Sequence, residues 1–352
     1  MSAAKFPIKT LRELAFRCGL PQTGTKPVLS ARLKAAATEF TPVPADIRVL
    51  SIDLGLRNFA FSLLTVPRSS PLRTTSKTLS SKPARNQPPL VALHAWRHIN
   101  LLLDTGVTGA EKLVDEGFSP SAMAQRTVQL VREQLLPLRP THVLIERQRF
   151  RSAGQAAVQE WTLRVNTLEA MLYAAFATVR VLGGGWDGSL LAVPPSRVVR
   201  YLLGEEGIGE ALFVERRALA LLPEAGALSA KNGAVVEDGV VGTVTKKATN
   251  KDHKRKKIAL LERALSPGSG TIKLASDEAQ MMVEEFFAAG DKSKTRKSKK
   301  KAKEVGRETA PEMILDNTST WVKRDDLSDC LLQGLVWLEW QRNIAEVRKT
   351  IF

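Results

Sequence analysis

Residues Val49–Ser62 read VLSIDLGLRNFAFS. An apolar run ends in the carboxylate of Asp53, Gly55 follows, and a second apolar run starts at Phe59. β-Branched and aromatic runs separated by a short polar turn predict two adjacent strands, over 47–54 and 58–66. Asp53 then stands near a strand end, where an open sheet presents its chemistry. One carboxylate so placed establishes little, and the question passes to its partners elsewhere in the chain.

Two further acidic signals answer it. Thr141–Gln148, THVLIERQ, reads as a buried strand ending in Glu146. Asp325-Asp326-Leu327-Ser328-Asp329 opens a helix expected to run to about 347. Asp326 and Asp329 lie three apart, and Asp325 and Asp329 four apart; both spacings share a helix face. Carboxylates crowded together repel, and their pKa values rise unless a cation intervenes. Oxygen ligands without His or Cys select a hard ion, Mg²⁺ or Mn²⁺, and two such ions in one site suit phosphodiester hydrolysis. The competing reading makes these acids caps or surface charges, and Asp325 would cap the helix well.

The composition agrees with a polyanionic partner. Lys and Arg number 52 against 36 Asp and Glu, a net charge of +16, which favours nucleic acid. The bland alternative is a basic protein with solubilising tails. The two cysteines, Cys18 and Cys330, have neither metal-site spacing nor a disulfide framework, which suits a reducing compartment. No apolar run reaches membrane-spanning length, no signal peptide is visible, and no membrane partner is expected. The basic runs would also read as nuclear signals.

Other strands are expected at 90–99 and near 189–193. Helices are expected at 120–136, 155–180, 195–203, 254–265 and 276–289. The 155–180 helix carries Trp161, Val165, Leu168, Leu172 and Phe176 on one face, a stripe that reads as core and could extend into a dimer interface, though the stripe alone does not establish a dimer. Basic insertions are placed around 67–89, 228–253 and 290–310, and the Lys run at 292–303 is expected to be disordered because like charges repel.

The N-terminal stretch LRELAFRCGLPQTGTKPVLSARL, Leu11–Leu33, predicts two short helices around a Gly-Leu-Pro turn. It resembles a SAP motif, a small DNA-binding helical hairpin, in which Lys26 and the amides at the start of the second helix would meet phosphates. A hairpin that merely packs on the next domain is the alternative. Thr41-Pro42-Val43-Pro44 then reads as a stiff linker. The expected domains are 1–40, the SAP-like hairpin, and 46–352, the nuclease domain.

The order strand-Asp, strand-Glu, helix-Asp-x-x-Asp resembles the ribonuclease H-like nucleases, and among them the RuvC-type resolvases. SIDLGLRN, IERQRFRS and KRDDLSDCLLQGLVW are similar to the fungal mitochondrial Holliday-junction resolvases, over about 1–65, 140–203 and 320–345. The resemblance implies an α/β fold, a mixed sheet flanked by helices. It implies a Mg²⁺- or Mn²⁺-dependent endonuclease that resolves four-way DNA junctions as a homodimer in mitochondria. Its acids fall on Asp53, Glu146, one of Asp325 or Asp326, with Asp326 favoured by its spacing, and Asp329. Arg147, Arg149 and Arg151 would contact phosphates beside the scissile bond, with Gln148 at the junction centre, or stand solvated on a loop. Phe150 would wedge into the junction or pack. Lys254, Arg255, Lys256 and Lys257 precede an apolar helix and would meet DNA.

Two other classes share single features. The IDLGLRN stretch resembles the first phosphate loop of actin-like ATPases, but no second phosphate loop accompanies it. A non-catalytic DNA-binding protein would explain the basic runs and leave the acids without a role.

Overall fold

The computed structural model of the chain describes residues 6–44, 46–70, 90–105, 111–113, 118–148, 159–204, 209, 250–303 and 323–352. Its centre is a six-stranded mixed sheet in the order β7-β6-β1-β2-β3-β8. The strands are β1 (Arg48–Asp53), β2 (Phe59–Thr65), β3 (Val91–Ile99), β6 (His142–Glu146), β7 (Ser189–Val193) and β8 (Ile272–Leu274). A small separate pair is formed by β4 (Leu103–Thr105) and β5 (Glu111–Leu113). β1 runs antiparallel to β2 and parallel to β6, so the VLSID run is the hinge of a sheet that is antiparallel on one side and parallel on the other.

Strand periodicity sorts the side chains onto two faces. Leu50, Ile52, Val143 and Ile145 join one cluster, with Val165, Leu168, Leu172 and Phe176 of helix α4 (Glu160–Val181). That helix therefore spends its stripe on the core, not on a dimer surface. Trp161, at its start, departs from the stripe: it is 39% exposed. α3 (Pro120–Leu130) covers the same face through Met123 and Leu130.

The opposite face carries Val49, Leu64 and Leu144, and is covered by the long helix α8 (Arg324–Ile351), with α5 (Pro195–Leu203), α6 (Asn250–Leu265) and α7 (Asp277–Lys303) around it. α8 lies very close to β1 and β2. A Cβ on Gly334 would sit 2.8 Å from Leu64 and 3.2 Å from Ser51, so glycine sets this spacing. Gln333 fixes its height by donating to Ser51 Oγ at 3.0 Å and to the Ile52 carbonyl at 3.2 Å.

Helices α1 (Ile8–Arg17) and α2 (Lys26–Glu39) form the N-terminal hairpin. It is packed on the rest of the molecule rather than held off by the Thr41–Pro44 stretch. Leu11, Leu14, Leu29 and Leu33 share a cluster with Ile344, Val347 and Ile351 of α8. Gly19, at φ +67°, abuts Trp340 so closely that a Cβ would lie 2.2 Å from its ring.

α7 corrects the sequence reading of the Lys run. The helix continues through Lys303, because Lys and Ala are good helix formers and propagate a helix whose first turns are packed. α6 likewise begins at Asn250, so Lys254 to Lys257 lie inside the helix rather than ahead of it. Most of the 67–89 and 228–253 stretches, residues 304–310, and Arg149, Phe150 and Arg151 lie outside the described residues.

Candidate active site

The β1–β6 register brings the first two acids together. Ile52 pairs with Ile145, so Asp53 and Glu146 stand at adjacent strand ends. Alternation turns both toward the face covered by α8, because Val49 and Leu144 already point there. The two carboxyls come within interaction range of each other, and each bears on the other's ionisation. Burial first, then the facing Glu146, push the Asp53 carboxyl well above the ordinary carboxylate range. Glu146 is also raised, again first by burial.

The first turns of α8 face this pair. Positions 326, 329 and 333 lie on one helix face, and Gln333 is already fixed to β1, so Asp326 and Asp329 are directed at the β1–β6 strand ends. Both add to the negative field that raises Asp53. Asp326 is pushed up to about 6, by burial and then by neighbouring Asp325, and its buried Oδ2 has no hydrogen-bond partner. Asp326 lines a cavity of about 790 Å³ with Asp53 and Glu146. Asp325 instead pairs with Lys254 at 2.5 Å, and its carboxyl lies below the ordinary range, with the Lys254 hydrogen bond and charge outweighing the effect of burial.

Two lysines of α6 supply cations at this cluster. Lys257 bonds Asp329, with side chains 9% and 28% exposed respectively, and Lys254 bonds Asp325. Lys256 and Arg255 are exposed on the same helix. Lys26 is exposed in the first turn of α2, remote in sequence from the cavity. Arg147 and Gln148 line the cavity; the Gln148 amide is held by Glu169 at 3.2 Å.

Several cavity residues carry no sequence signal of their own: Arg200, His253, Trp161 and Asn58. Trp161 came nearest, as the odd end of a core stripe. It meets Phe118 edge-on at 6.2 Å, with Arg57 5.8 Å from its ring.

A divalent ion suits the donor chemistry. Asp53, Glu146 and Asp326 line one cavity, Asp329 adds to the negative field at Asp53, and one buried Asp326 oxygen lacks a partner. Among the described residues no three of these groups converge on one point at ligand distance, since Asp329 and Asp325 are turned to their lysines.

A mixed sheet of this order, with acids at two strand ends and on a helix laid across them, defines the ribonuclease H-like class. The chain belongs to the family described as mitochondrial resolvase Ydc2 / RNA splicing MRS1, which matches residues 49–347. It is 33% identical over 171 residues to the mitochondrial cruciform cutting endonuclease 1 of Schizosaccharomyces pombe. That match covers 49% of this chain and only 55% of the relative's length. The solved structure of the yeast mitochondrial Holliday junction resolvase Ydc2 has the same fold, with a TM-score of 0.54, 21% identity and 97% coverage of both chains.

Proposed function

We propose that this chain is a divalent-metal-dependent endonuclease that resolves four-way DNA junctions by paired, symmetric nicks, working as a homodimer in mitochondria. The observation that carries the reading is the meeting of Asp53 and Glu146 at neighbouring strand ends under the Asp326 and Asp329 face of α8. The family description and the name of the S. pombe relative support the junction substrate and the mitochondrial compartment. The family description also covers RNA splicing; an intact acid cluster favours the hydrolytic branch, because binding alone needs no buried carboxylates.

Asp53, Glu146 and Asp326, joined by Asp329 once it leaves Lys257, would hold Mg²⁺ or Mn²⁺, two in the full site. When bound, the metal would supply an activated water and stabilise the leaving 3′ oxygen. The protein's own groups do the rest. Arg147 and Arg200 at the cavity rim neutralise phosphates, and Gln148 is placed to hydrogen-bond at the strand. Asp53 and Glu146, both raised by burial, would have to be ionised to hold a cation, so activity is expected to rise with pH through the acidic range. A closed two-fold dimer gives two such sites, one for each strand to be cut.

Cleavage of matched four-way junction, duplex and RNA–DNA hybrid, with and without Mg²⁺, tests the reading. Paired nicks on the junction only, abolished by chelation, are expected. Equal cutting of hybrid would replace the junction assignment with another ribonuclease H-like activity, and no cutting of any substrate would end it.

A further inference from the structure

The hairpin turn and the catalytic cavity are joined by a row of guanidinium groups drawn from three distant parts of the chain. Arg197 of α5 donates to the Gly19 carbonyl at 3.0 Å. Arg32 of α2 donates to Thr23 of the same turn at 2.9 Å, and also to Pro21. Arg200, one turn along α5, lies 5.7 Å from the Phe16 ring of α1 and also lines the cavity. The Arg147 amide bonds the Val193 carbonyl at 2.9 Å, which sets Arg147 beside the start of α5 and at the cavity rim.

Arg147 has one carboxylate nearby, Glu169, whose pKa its charge acts to lower against the larger effect of burial. Among the described residues no carboxylate forms an ion pair with Arg32, Arg147, Arg197 or Arg200. Arg32 and Arg197 are half-buried and Arg147 and Arg200 exposed, whereas the half-buried Arg97, Arg324 and Arg342 are matched to Glu278, Glu262 and Glu339. Burial lowers the Arg197 pKa, and the charges of Arg32 and Arg147 lower it further. A guanidinium has five donors, and the turn carbonyls use one or two of them. Crowded cations with spare donors, held on separate elements against their mutual repulsion, are a site for a run of anions.

We infer that Arg147, Arg200, Arg197 and Arg32 form a phosphate track that leads one duplex arm from the catalytic cavity across α5 to the N-terminal hairpin. The hairpin then serves as the far wall of the nuclease groove, not as a tethered second module. Its docking on α8 through Leu11, Leu33, Ile344 and Val347 gives the track a fixed geometry. The inference rests on the junction reading for its ligand, though any duplex arm presents the same phosphates.

The test is equilibrium binding of a fluorescent four-way junction by the full chain in EDTA, across a salt series, for wild type, Arg32→Gln, Arg197→Gln and the double variant. Each lost phosphate contact lowers the slope of log affinity against log salt by about 0.9, so the double variant loses about 1.8. Affinity falls about tenfold per residue at ~0.1 M salt. The single-turnover cutting rate at saturating protein stays at the wild-type value. Arg180→Gln, at the end of α4 beyond the other end of the strands, leaves slope and affinity unchanged.

Arg32 and Arg197 also clip the turn, so a lower melting temperature alone has a structural explanation. Arg200→Gln removes no backbone contact and carries the same salt-slope prediction. Arg32→Lys and Arg197→Lys keep the charge and recover most of the slope. Unchanged slopes in all the Gln variants, in a wild type that binds and cuts junctions, would refute the track alone. A wild type that fails to bind junctions would refute the reading beneath it.

Discussion

Asp326→Asn is expected to stabilise the metal-free protein at neutral pH while removing a cutting group. Burial and Asp325 push the Asp326 carboxyl from 3.8 up to about 6 in the fold. A group raised in the folded state favours folding when protonated. That contribution is complete below the unfolded value near 4 and is lost as pH climbs through about 6. At neutral pH the wild type without metal therefore bears the cost of an ionised, poorly solvated carboxylate. A rise of about two pH units corresponds to about 3 kcal/mol at ~1.4 kcal/mol per unit. Asp326 is only half-buried, and solvent screening brings this to about 1.5 kcal/mol.

Asn has nearly the same shape and no charge, so it removes that cost. Urea unfolding in EDTA at pH ~7 should show the variant more stable by about 1.5 kcal/mol, or a few °C in melting temperature. At pH ~4 the two proteins should coincide, because the wild-type carboxyl is then protonated. Saturating Mg²⁺ should reverse the order, since a ligand at about 100 times its Kd adds about 2.7 kcal/mol to the form that binds it. A variant less stable than wild type in EDTA at neutral pH would refute the argument. So would a gap that does not change with pH.

Asp53→Asn and Glu146→Gln should bind the four-way junction with wild-type affinity and cut it at least about 10³-fold more slowly, read by gel assay under single turnover. Lys257→Met strands the largely buried Asp329 without its cation, and should cost about 2 kcal/mol in EDTA by urea unfolding, with part recovered by Mg²⁺. Gly19→Ala forces a left-handed residue and a methyl into Trp340, and should cost about 2–3 kcal/mol by thermal melting. Because Trp340 belongs to the helix that carries Asp326 and Asp329, the same variant should also slow cutting; melting without loss of rate would show the hairpin and the site to be uncoupled.

The parts of the fold that read well from sequence are those with a strong local period. VLSID, FAFSLLT and HVLIE are short apolar runs with clear ends, and the first and last end in Asp53 and Glu146. The α8 start was legible because Asp326 and Asp329 precede a long apolar helix. The choice between Asp325 and Asp326 was not settled by spacing alone. The two differ through α6, which brings Lys254 to Asp325 and leaves Asp326 at the cavity, and nothing local in RDDLSD encodes that contact. β8 was missed because three residues, Ile272–Leu274, are too few to show alternation and become a strand only by pairing with β3. Of the arginine row only Arg147 was legible; Arg197 and Arg200 of α5 reach the N-terminal hairpin only through tertiary packing.

Anomalous diffraction from crystals grown with Mn²⁺ and a junction that cannot be cut tests the central claim most directly. The account predicts manganese peaks among the carboxylates of Asp53, Glu146 and Asp326, with Asp329 swung off Lys257 and a DNA phosphate alongside. Manganese bound elsewhere, with those carboxylates still closed on each other and on their lysines while DNA is present, would contradict it.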